Sequence, residues 1–236
     1  MMTGLPLFRK IEPLVRSRQK ILLLIPAFNE EPTIAQVVEG AKKYISGILV
    51  VDDGSTDNTT PAATMAGAKV HRLERNMGKG AALQTGFNYA LEHDYDWVIT
   101  MDADGQHDAH DIASFLPLLE SYDLLLGNRM KDRACVPLLR RAANLTSSFI
   151  VSVLCGRRIY DSQTGFRSYS ATLLREVRFG CSHYDLETEA IIKASRKGFR
   201  IGHCRIQTIY LGEVSRLRKA RDSFRFLIVV AKSFFW

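Results

Sequence analysis

The sequence predicts an α/β fold in which helices cover both faces of a mostly parallel, Rossmann-like sheet. Two observations lead to this prediction. Apolar runs alternate with amphipathic segments of helical period along the first 128 residues, an order typical of parallel sheets. The composition, 46% hydrophobic and 24% charged, is that of a globular chain and excludes a disordered or fibrous protein.

The first half of the chain contains five predicted strands and four predicted helices. Continuous apolar runs indicate strands that are buried on both faces. The strands are expected at residues 21–26, 48–51, 69–73, 97–101 and 124–126. The helices are expected to begin at Pro32, to begin near Pro61 with Thr59 or Thr60 as cap, and to cover residues 80–92 and 112–119. In the first helix, Ile34, Val37, Val38 and Ala41 share one apolar face.

The pattern after Arg129 is less regular. It predicts helices over residues 137–155 and 186–197, a strand over residues 200–209 and a loop from Asp161 to Arg167. No linker rich in Gly, Pro or Ser separates the two halves. We therefore expect one domain over residues 1–236.

The net charge of +7 is unevenly distributed. Residues 1–128 carry a balance of −6 and residues 129–236 a balance of +13. An acidic half suits metal binding, whereas a basic half suits phosphates, an anionic membrane surface or nucleic acid. Because no recognisable nucleic-acid motif accompanies the sequence pI of about 9.3, we expect no nucleic-acid partner.

Cysteine spacing and hydropathy bear on location. The four cysteines form no CxxC pair, which disfavours a zinc site and suits reduced thiols in a cytosolic protein. We expect neither a signal peptide nor a membrane-spanning helix. Two segments, residues 142–156 and 224–236, are apolar enough for either of two interpretations: buried core helices, or helices in a membrane interface with basic flanks at the headgroups.

Polar clusters follow three of the predicted strands. They are Pro26 to Glu30, Asp52 to Ser55 and Asp102 to Gln106. Since ligands of such sheets bind at the carboxyl ends of the strands, we expect the three clusters to converge on one crevice.

The third cluster predicts a metal site. Asp102 and Asp104, one residue apart at a turn, can face the same Mg²⁺ or Mn²⁺ ion, which shares such oxygen ligands with a substrate diphosphate. Gln106 can add a neutral oxygen. His107 lies near this site or in solvent. The alternative is a polar turn that bends at Asp104-Gly105.

Two further clusters suit nucleotide recognition. A carboxylate in Asp52-Asp53 can accept hydrogen bonds from a ribose or a base, or else closes a turn. Lys79 lies near the start of a helix in a glycine-containing segment, Arg75 to Gly80, which suits a phosphate or is a plain loop.

Acidic residues also occur in the second half. Asp161 to Arg167 combines an acid, a glycine and an arginine. Glu187 and Glu189 would point in different directions on a helix, so we expect one to be functional and the other solvated.

Five motifs occur in a specific order: Pro26 to Glu30, Asp52 to Asp57, Asn76 to Gly80, Asp102 to His107, and Gly127 to Arg129. With them, the chain resembles a family 2 glycosyltransferase of the GT-A fold over roughly residues 20–226. It is most similar to the branch of dolichyl-phosphate mannose synthases and polyprenyl-phosphate glycosyltransferases, whose D-x-x-[ST/C]-G-F-[RK] segment Asp161 to Arg167 resembles.

The resemblance implies a nucleotide-sugar donor, GDP-mannose or a UDP-hexose, with Mg²⁺ or Mn²⁺ and inversion at the anomeric carbon. It implies site residues by position. Pro26, Phe28, Glu30, Val51 and Asp53 would hold the nucleoside; Asp102, Asp104 and Gln106 the metal and diphosphate, beside Ala103; and Lys79, Arg129 and the C-terminal Arg216 the phosphates. Arg167 would also bind the substrate. The catalytic residues would be Asp104, Asp161 and Arg129. Phe28 replaces a common Tyr, and Arg216 replaces a common Lys.

The resemblance also divides the chain. Residues 20–128 would form the nucleotide-sugar half, 129–223 the acceptor half and 224–236 a possible interfacial helix. The implied acceptor is a polyprenyl or dolichyl phosphate, at the cytoplasmic face of a membrane that the protein reaches peripherally or through a partner subunit.

The acceptor decides the role of Asp161. A lipid phosphate is already anionic near neutral pH, so Asp161 would orient it; a hydroxyl acceptor would need Asp161 as a general base. Two alternatives stay open: a glycosyltransferase for a soluble or protein hydroxyl, and a non-catalytic nucleotide-sugar-binding protein.

Overall fold

The computed structural model describes residues 19–129, 138–207 and 219–236, whose strands form one mixed sheet. The strands are β1 (Ile21–Ala27), β2 (Ile48–Asp52), β3 (Lys69–Arg72), β4 (Trp97–Thr100), β5 (Leu124–Asn128), β6 (Arg167–Ser170) and β7 (Ile201–Arg205). Their order is β3-β2-β1-β4-β6-β5-β7. Neighbours pair in parallel except at β6, which is antiparallel to β4 and β5. The predicted α/β class and the mostly parallel sheet are confirmed.

Helices cover both faces of this sheet, as predicted. They are α1 (Ile34–Ala41), α2 (Thr59–Met65), α3 (Lys79–Glu92), α4 (Asp111–Phe115), α5 (Leu138–Cys155), α6 (Ala171–Glu176), α7 (Asp185–Arg196) and α8 (Lys219–Ser233), with a 3₁₀ turn at Leu116–Ser121 after α4. Residues of α3 and α5 to α8 share one apolar core, and residues of α1, α2 and α4 share the other. The sheet thus lies between two cores, which leaves its strand ends available for polar loops.

The first two helices follow the sequence pattern with small corrections. The four predicted apolar residues of α1 are all buried, and each such side chain contributes about 1.5–3 kcal/mol by leaving water. The helix begins at Ile34 rather than at Pro32. Helix α2 begins at Thr59 with Asn58 in the N-cap position, so the predicted cap at Thr59 or Thr60 is wrong.

Two elements of the second half were not predicted. Strand β6 begins at Arg167, where a loop was expected to end, and Thr100 of β4 is the register partner of Arg167. Helix α6 follows at once, and the Ser170 hydroxyl accepts a hydrogen bond from the N–H of Leu173 at 3.1 Å. The expected strand at 200–209 is shorter, and residues 208 and 209 lie outside the described residues.

Helices α5 and α8 each have one buried side and one exposed side. Val151 and Val229 are fully buried in the same core, whereas Phe149, Val153 and Leu227 are exposed. Within the described residues, no helix has the length and apolarity needed to cross a membrane. The inner sides are therefore core, and the outer sides remain available to a membrane interface.

The cysteines in the described residues form no disulfide bond. Cys155, Cys181 and Cys204 are free thiols, and Cys135 lies outside the described residues.

Candidate active site

The loops after β1, β2 and β4 meet at one edge of the sheet, which confirms the predicted convergence. The backbone N–H of Asn29 donates to the Ser55 hydroxyl at 2.9 Å, and the Asn29 side-chain oxygen accepts from the N–H of Thr56 at 2.8 Å. The Thr33 hydroxyl donates to the carbonyl of Ala103 at 2.7 Å. These bonds fix the three polar clusters relative to one another.

The adjacent carboxylates of Asp52 and Asp53 have different tasks. Asp52 is fully buried and closes its own turn, because it accepts hydrogen bonds from the N–H of Ser55 and from the Thr60 hydroxyl. Asp53 instead reaches the following loop, where it accepts from the N–H groups of Met77 and Gly78 at 2.7 and 2.8 Å. Burial raises the pKa of Asp53, although these two N–H groups act in the opposite sense.

The predicted nucleoside residues lie along this part of the crevice. Pro26 and Val51 are register partners on β1 and β2 and both are buried. The side chain of Phe28 is partly exposed just after β1, and Glu30 follows within the same loop.

The glycine segment before α3 is held against another part of the chain. A Cβ atom on Gly78 would lie 2.7 Å from the His183 ring, and one on Gly80 would lie 2.5 Å from the carbonyl carbon of Ser182. Gly78 also has a φ of 99°, which favours glycine. These glycines therefore allow the close approach of residues 182–183 and fix the start of α3.

Lys79 bridges two carboxylates at the start of α3. Its Nζ lies 2.6 Å from Asp102 Oδ1 and 2.9 Å from Glu187 Oε1, and 5.4 Å from the ring centre of Tyr184. Burial alone would lower the pKa of Lys79, but the charges of Asp102 and Glu187 outweigh burial and raise it. The lysine therefore stays charged and joins the loop after β4 to α7.

The two predicted metal ligands have opposite pKa shifts. Burial acts to raise the pKa of Asp102, but Lys79 and then His107, whose Nε2 is 3.6 Å from Asp102 Oδ2, lower it. Burial and the charge of Asp102 raise the pKa of Asp104, which accepts from the N–H of Gln106 at 3.0 Å. The surroundings of Asp104 thus disfavour its charged form, which an added cation would stabilise.

Gly165 provides the space that the Asp102 side chain occupies. A Cβ atom on Gly165 would lie 2.5 Å from Cγ of Asp102 and would overlap Oδ2. The carbonyl of Gly165 accepts from the Thr100 hydroxyl at 2.8 Å, which fixes this backbone beside β4. The 161–167 segment therefore determines where the first carboxylate of the metal pair can lie.

Arg129 and Asp161 form a two-bond ion pair. Arg129 donates through Nε to Asp161 Oδ2 at 2.7 Å and through Nη2 to Oδ1 at 2.9 Å, and Oδ1 also accepts from the N–H of Gln163 at 3.0 Å. Asp161 is 5% exposed. Burial acts to raise its pKa, but Arg129 outweighs burial and lowers it. Asp161 is therefore held as a carboxylate in a fixed orientation.

The geometry does not support a substrate contact from Arg167. Its side chain is fully buried. The guanidinium donates only inward, to the backbone carbonyls of Thr164, Glu187 and Ser162 at 2.7, 2.6 and 2.9 Å. All three guanidinium nitrogens are thus used to join the 161–167 segment to α7, so Arg167 is a structural residue.

Two further expectations are corrected. Glu189 was expected in solvent if Glu187 were functional, but both are buried, and Glu189 accepts from the N–H groups of Gly180 and Cys181. His107 is 8% exposed rather than solvated. The position of Glu187 in the acidic first turn of α7 was the one sequence feature that could have indicated its role. No sequence feature indicated the contact between Gly165 and Asp102.

The predicted metal ligands fit a divalent cation by their chemistry rather than by a preformed cluster. The described residues contain no group of three or more His, Cys, Asp and Glu side chains arranged around one point. Asp102, Asp104 and the amide oxygen of Gln106 would nevertheless supply hard oxygen ligands of the kind that Mg²⁺ completes with substrate phosphates and water. Arg216, the predicted C-terminal phosphate ligand, lies outside the described residues.

The chain is similar in sequence to known proteins. The model of Glycosyl transferase family 2 matches residues 23–179. A UDP-N-acetylglucosamine–dolichyl-phosphate N-acetylglucosaminyltransferase of Methanococcus voltae is 34% identical over 215 residues, which cover 80% of this chain and 86% of that protein. An undecaprenyl-phosphate mannosyltransferase of Micrococcus luteus is 29% identical over 195 residues, 77% of this chain and 80% of that protein.

A solved structure shows the same fold. Glucosyl-3-phosphoglycerate synthase of Mycobacterium tuberculosis, crystallised with Mn²⁺, UDP-glucose and phosphoglyceric acid, superposes with a TM-score of 0.73 at 21% identity, over 91% of this chain and 79% of that one. The family match and the fold confirm the resemblance drawn from the five motifs. The chain belongs to Glycosyl transferase family 2 and is a glycosyltransferase of the GT-A fold.

Proposed function

We propose that this enzyme transfers a hexose from a nucleoside diphosphate sugar to a polyprenyl or dolichyl phosphate, with inversion at the anomeric carbon. The names of the Methanococcus and Micrococcus relatives support a lipid-phosphate acceptor. The observation that carries the proposal is the Arg129–Asp161 pair. A carboxylate whose pKa is lowered by a bound guanidinium is a poor proton acceptor, which favours an acceptor that needs no general base.

A phosphate acceptor meets that requirement. The second pKa of a phosphate monoester is about 6, so its oxygen is already largely anionic near neutral pH and can attack without proton removal. Asp161 then orients Arg129, and Arg129 attracts the phosphate. A hydroxyl acceptor would instead require a base with a pKa near the working pH.

The donor would lie across the ends of β1, β2 and β4. Asp53 offers its fixed carboxylate to the nucleoside, and Phe28 offers an exposed ring to the base. Asp102, Asp104 and Gln106 would hold Mg²⁺ or Mn²⁺, which supplies positive charge next to the leaving diphosphate. Lys79 balances the charge of Asp102, and Arg129 adds a cation where negative charge develops.

The acceptor would approach from the second half of the chain. We propose residues 20–128 as the donor half and 129–223 as the acceptor half. The outer side of α5, with Leu145, Phe149 and Val153 exposed, and that of α8 suit a peripheral position on the cytoplasmic face of a membrane, where the acceptor lipid lies.

A panel of radiolabelled nucleotide sugars with polyprenyl phosphate tests the proposal. We expect labelled product in the organic phase for one donor, lost with EDTA and restored by Mn²⁺ or Mg²⁺. Product that appears only in the aqueous phase, with a soluble hydroxyl compound as acceptor, would contradict the lipid-phosphate assignment and favour the hydroxyl alternative.

A further inference from the structure

A second pocket lies at the end of α7 opposite to Lys79 and Glu187. Its volume is about 480 Å³. Its lining consists of four cations, Arg178, Lys193, Arg196 and Lys197, together with Glu176, Val177 and Trp236. From Glu187 to Arg196 is nine residues of helix, or about 14 Å, so this pocket is separate from the donor site.

The rim of the pocket carries excess positive charge. Lys193 pairs with Glu189 at 2.7 Å, but Arg178, Arg196 and Lys197 have no carboxylate within 4 Å in the part of the chain that the structure describes. Backbone carbonyls fix two of these cations: Lys197 donates to the carbonyl of Glu176 at 2.7 Å, and Arg196 donates to those of Ser233 and Trp236. A carbonyl orients a cation without neutralising it, and the four cations outnumber the carboxylates of Glu176 and Glu189, so the pocket favours an anion.

The neighbouring surface is apolar and aromatic. Val177 is 2% exposed, and the Trp236 ring centre lies 4.6 Å from Lys193 Nζ. Phe234 and Phe235, at the end of α8, are 70% and 91% exposed. Aromatic side chains beside a cluster of cations match the boundary between lipid headgroups and acyl chains.

We propose that this pocket binds the phosphate group of an anionic phospholipid and so seats the end of α8 in a membrane surface. The inference rests on the membrane-surface position proposed above. A soluble phosphate monoester shares the charge that the cations recognise, but it has no group to cover Phe234 and Phe235. Charge and exposed aromatic surface together therefore favour a lipid.

Vesicle binding by the full chain tests this proposal. We expect binding to phosphatidylcholine vesicles that contain phosphatidylglycerol, weaker binding to pure phosphatidylcholine, and a blue shift of tryptophan fluorescence that reports Trp236, because Trp97 is already buried. Arg178→Gln should lower the partition coefficient about fivefold, the effect of one cation near an anionic surface. Lys43→Gln, the same charge change at an exposed site after α1, should change it less than twofold.

Three results would overturn the proposal. The first is equal binding to the two vesicle types; the second is equal vesicle binding by Arg178→Gln and Lys43→Gln. The third is saturation of the pocket by glycerol phosphate, seen in the fluorescence of Trp236, with vesicle binding unaffected. Transfer assayed in detergent micelles tests the proposed function separately, and Arg178→Gln should retain it. A loss of transfer there would show that Arg178 is needed for the fold or for the reaction itself, which would overturn its assignment to lipid binding.

Discussion

The backbone of Gly165 is in direct contact with the carboxylate of Asp102. No side chain fits between them, because a Cβ atom on Gly165 would lie 2.5 Å from Cγ of Asp102. The segment that carries Asp161 and the turn that carries the candidate metal ligands are therefore one packed unit, although more than fifty residues separate them in the sequence.

Gly165→Ala should displace the Asp102 carboxylate and lower the turnover number. A displacement of about 1 Å at a catalytic group can cost about 100-fold, so we expect a loss of this order, measured as transfer per minute at saturating donor. Gly180→Ala is the matched control, because its Cβ would meet only Glu189 Oε1 at 3.5 Å. Equal activity of the two variants would show that the close contact is unimportant.

Asp104→Asn should abolish metal-dependent transfer and leave the fold intact. The substitution removes one charged oxygen ligand, and we expect transfer to fall about 100-fold or more with an unchanged circular dichroism spectrum. Asp108→Asn makes the same change in the same loop, where Asp108 accepts from the N–H of His110, and it should retain most of the activity. Near-normal turnover of Asp104→Asn would contradict the metal assignment.

Asp161→Asn should destabilise the protein in a pH-dependent way. The pKa of Asp161 is lowered in the folded state, so its ionisation stabilises the fold above the unfolded pKa of about 3.9. This contribution is lost as the pH falls through the folded pKa. We expect the variant to lose about 2 kcal/mol of unfolding free energy at pH 7 and less below pH 4, in urea titrations at both pH values.

The exposed Arg200–Asp123 pair provides the control for that measurement. It also has two hydrogen bonds between side chains, but the Arg200 side chain is 58% exposed, so Asp123→Asn should cost less than Asp161→Asn. An equal cost, or a pH-independent loss for Asp161→Asn, would show that the buried pair does not act through its charge.

Helix α8 allows stability and membrane binding to be separated. Leu227 is 57% exposed and Val229 is fully buried. Leu227→Ser should weaken vesicle binding and leave the urea midpoint unchanged, whereas Val229→Ala should lower the unfolding free energy by about 1–2 kcal/mol and leave vesicle binding intact. Because α8 contributes to the core, removal of residues 224–236 would mix the two effects. Equal vesicle binding by Leu227→Ser and the wild type would argue against an interfacial α8.

The sequence predicted those parts of the fold that apolar periodicity encodes. The strands of the first half and the buried face of α1 follow directly from where apolar residues recur. Strand β6 escaped prediction because Arg167–Ser170 contains no apolar run. Arg167 can be buried because its guanidinium donates hydrogen bonds to the carbonyls of Thr164, Glu187 and Ser162. No local sequence pattern indicates such partners.

The candidate site, like the fold, could be predicted only in part. Carboxylates at strand ends could be placed in one crevice because parallel strands end at the same edge. The partners of Lys79 could not be predicted, since Glu187 lies 108 residues further along the chain. Likewise, spacing alone could not show that Asp52 closes a turn while Asp53 reaches the next loop.

The reversed direction of β6 has a consequence for how this enzyme can be altered. Asp53 and Asp102 come after their strands, whereas Asp161 comes before β6; because β6 runs in the opposite direction, all three arrive at the same edge of the sheet. Changes on the exposed side of α5 therefore leave the register of β1, β2 and β4 intact, whereas Val151 on its buried side is part of the core. Under the proposed division into donor and acceptor halves, the exposed residues of α5, Leu145, Phe149 and Val153, are the ones to exchange between relatives in order to alter acceptor preference.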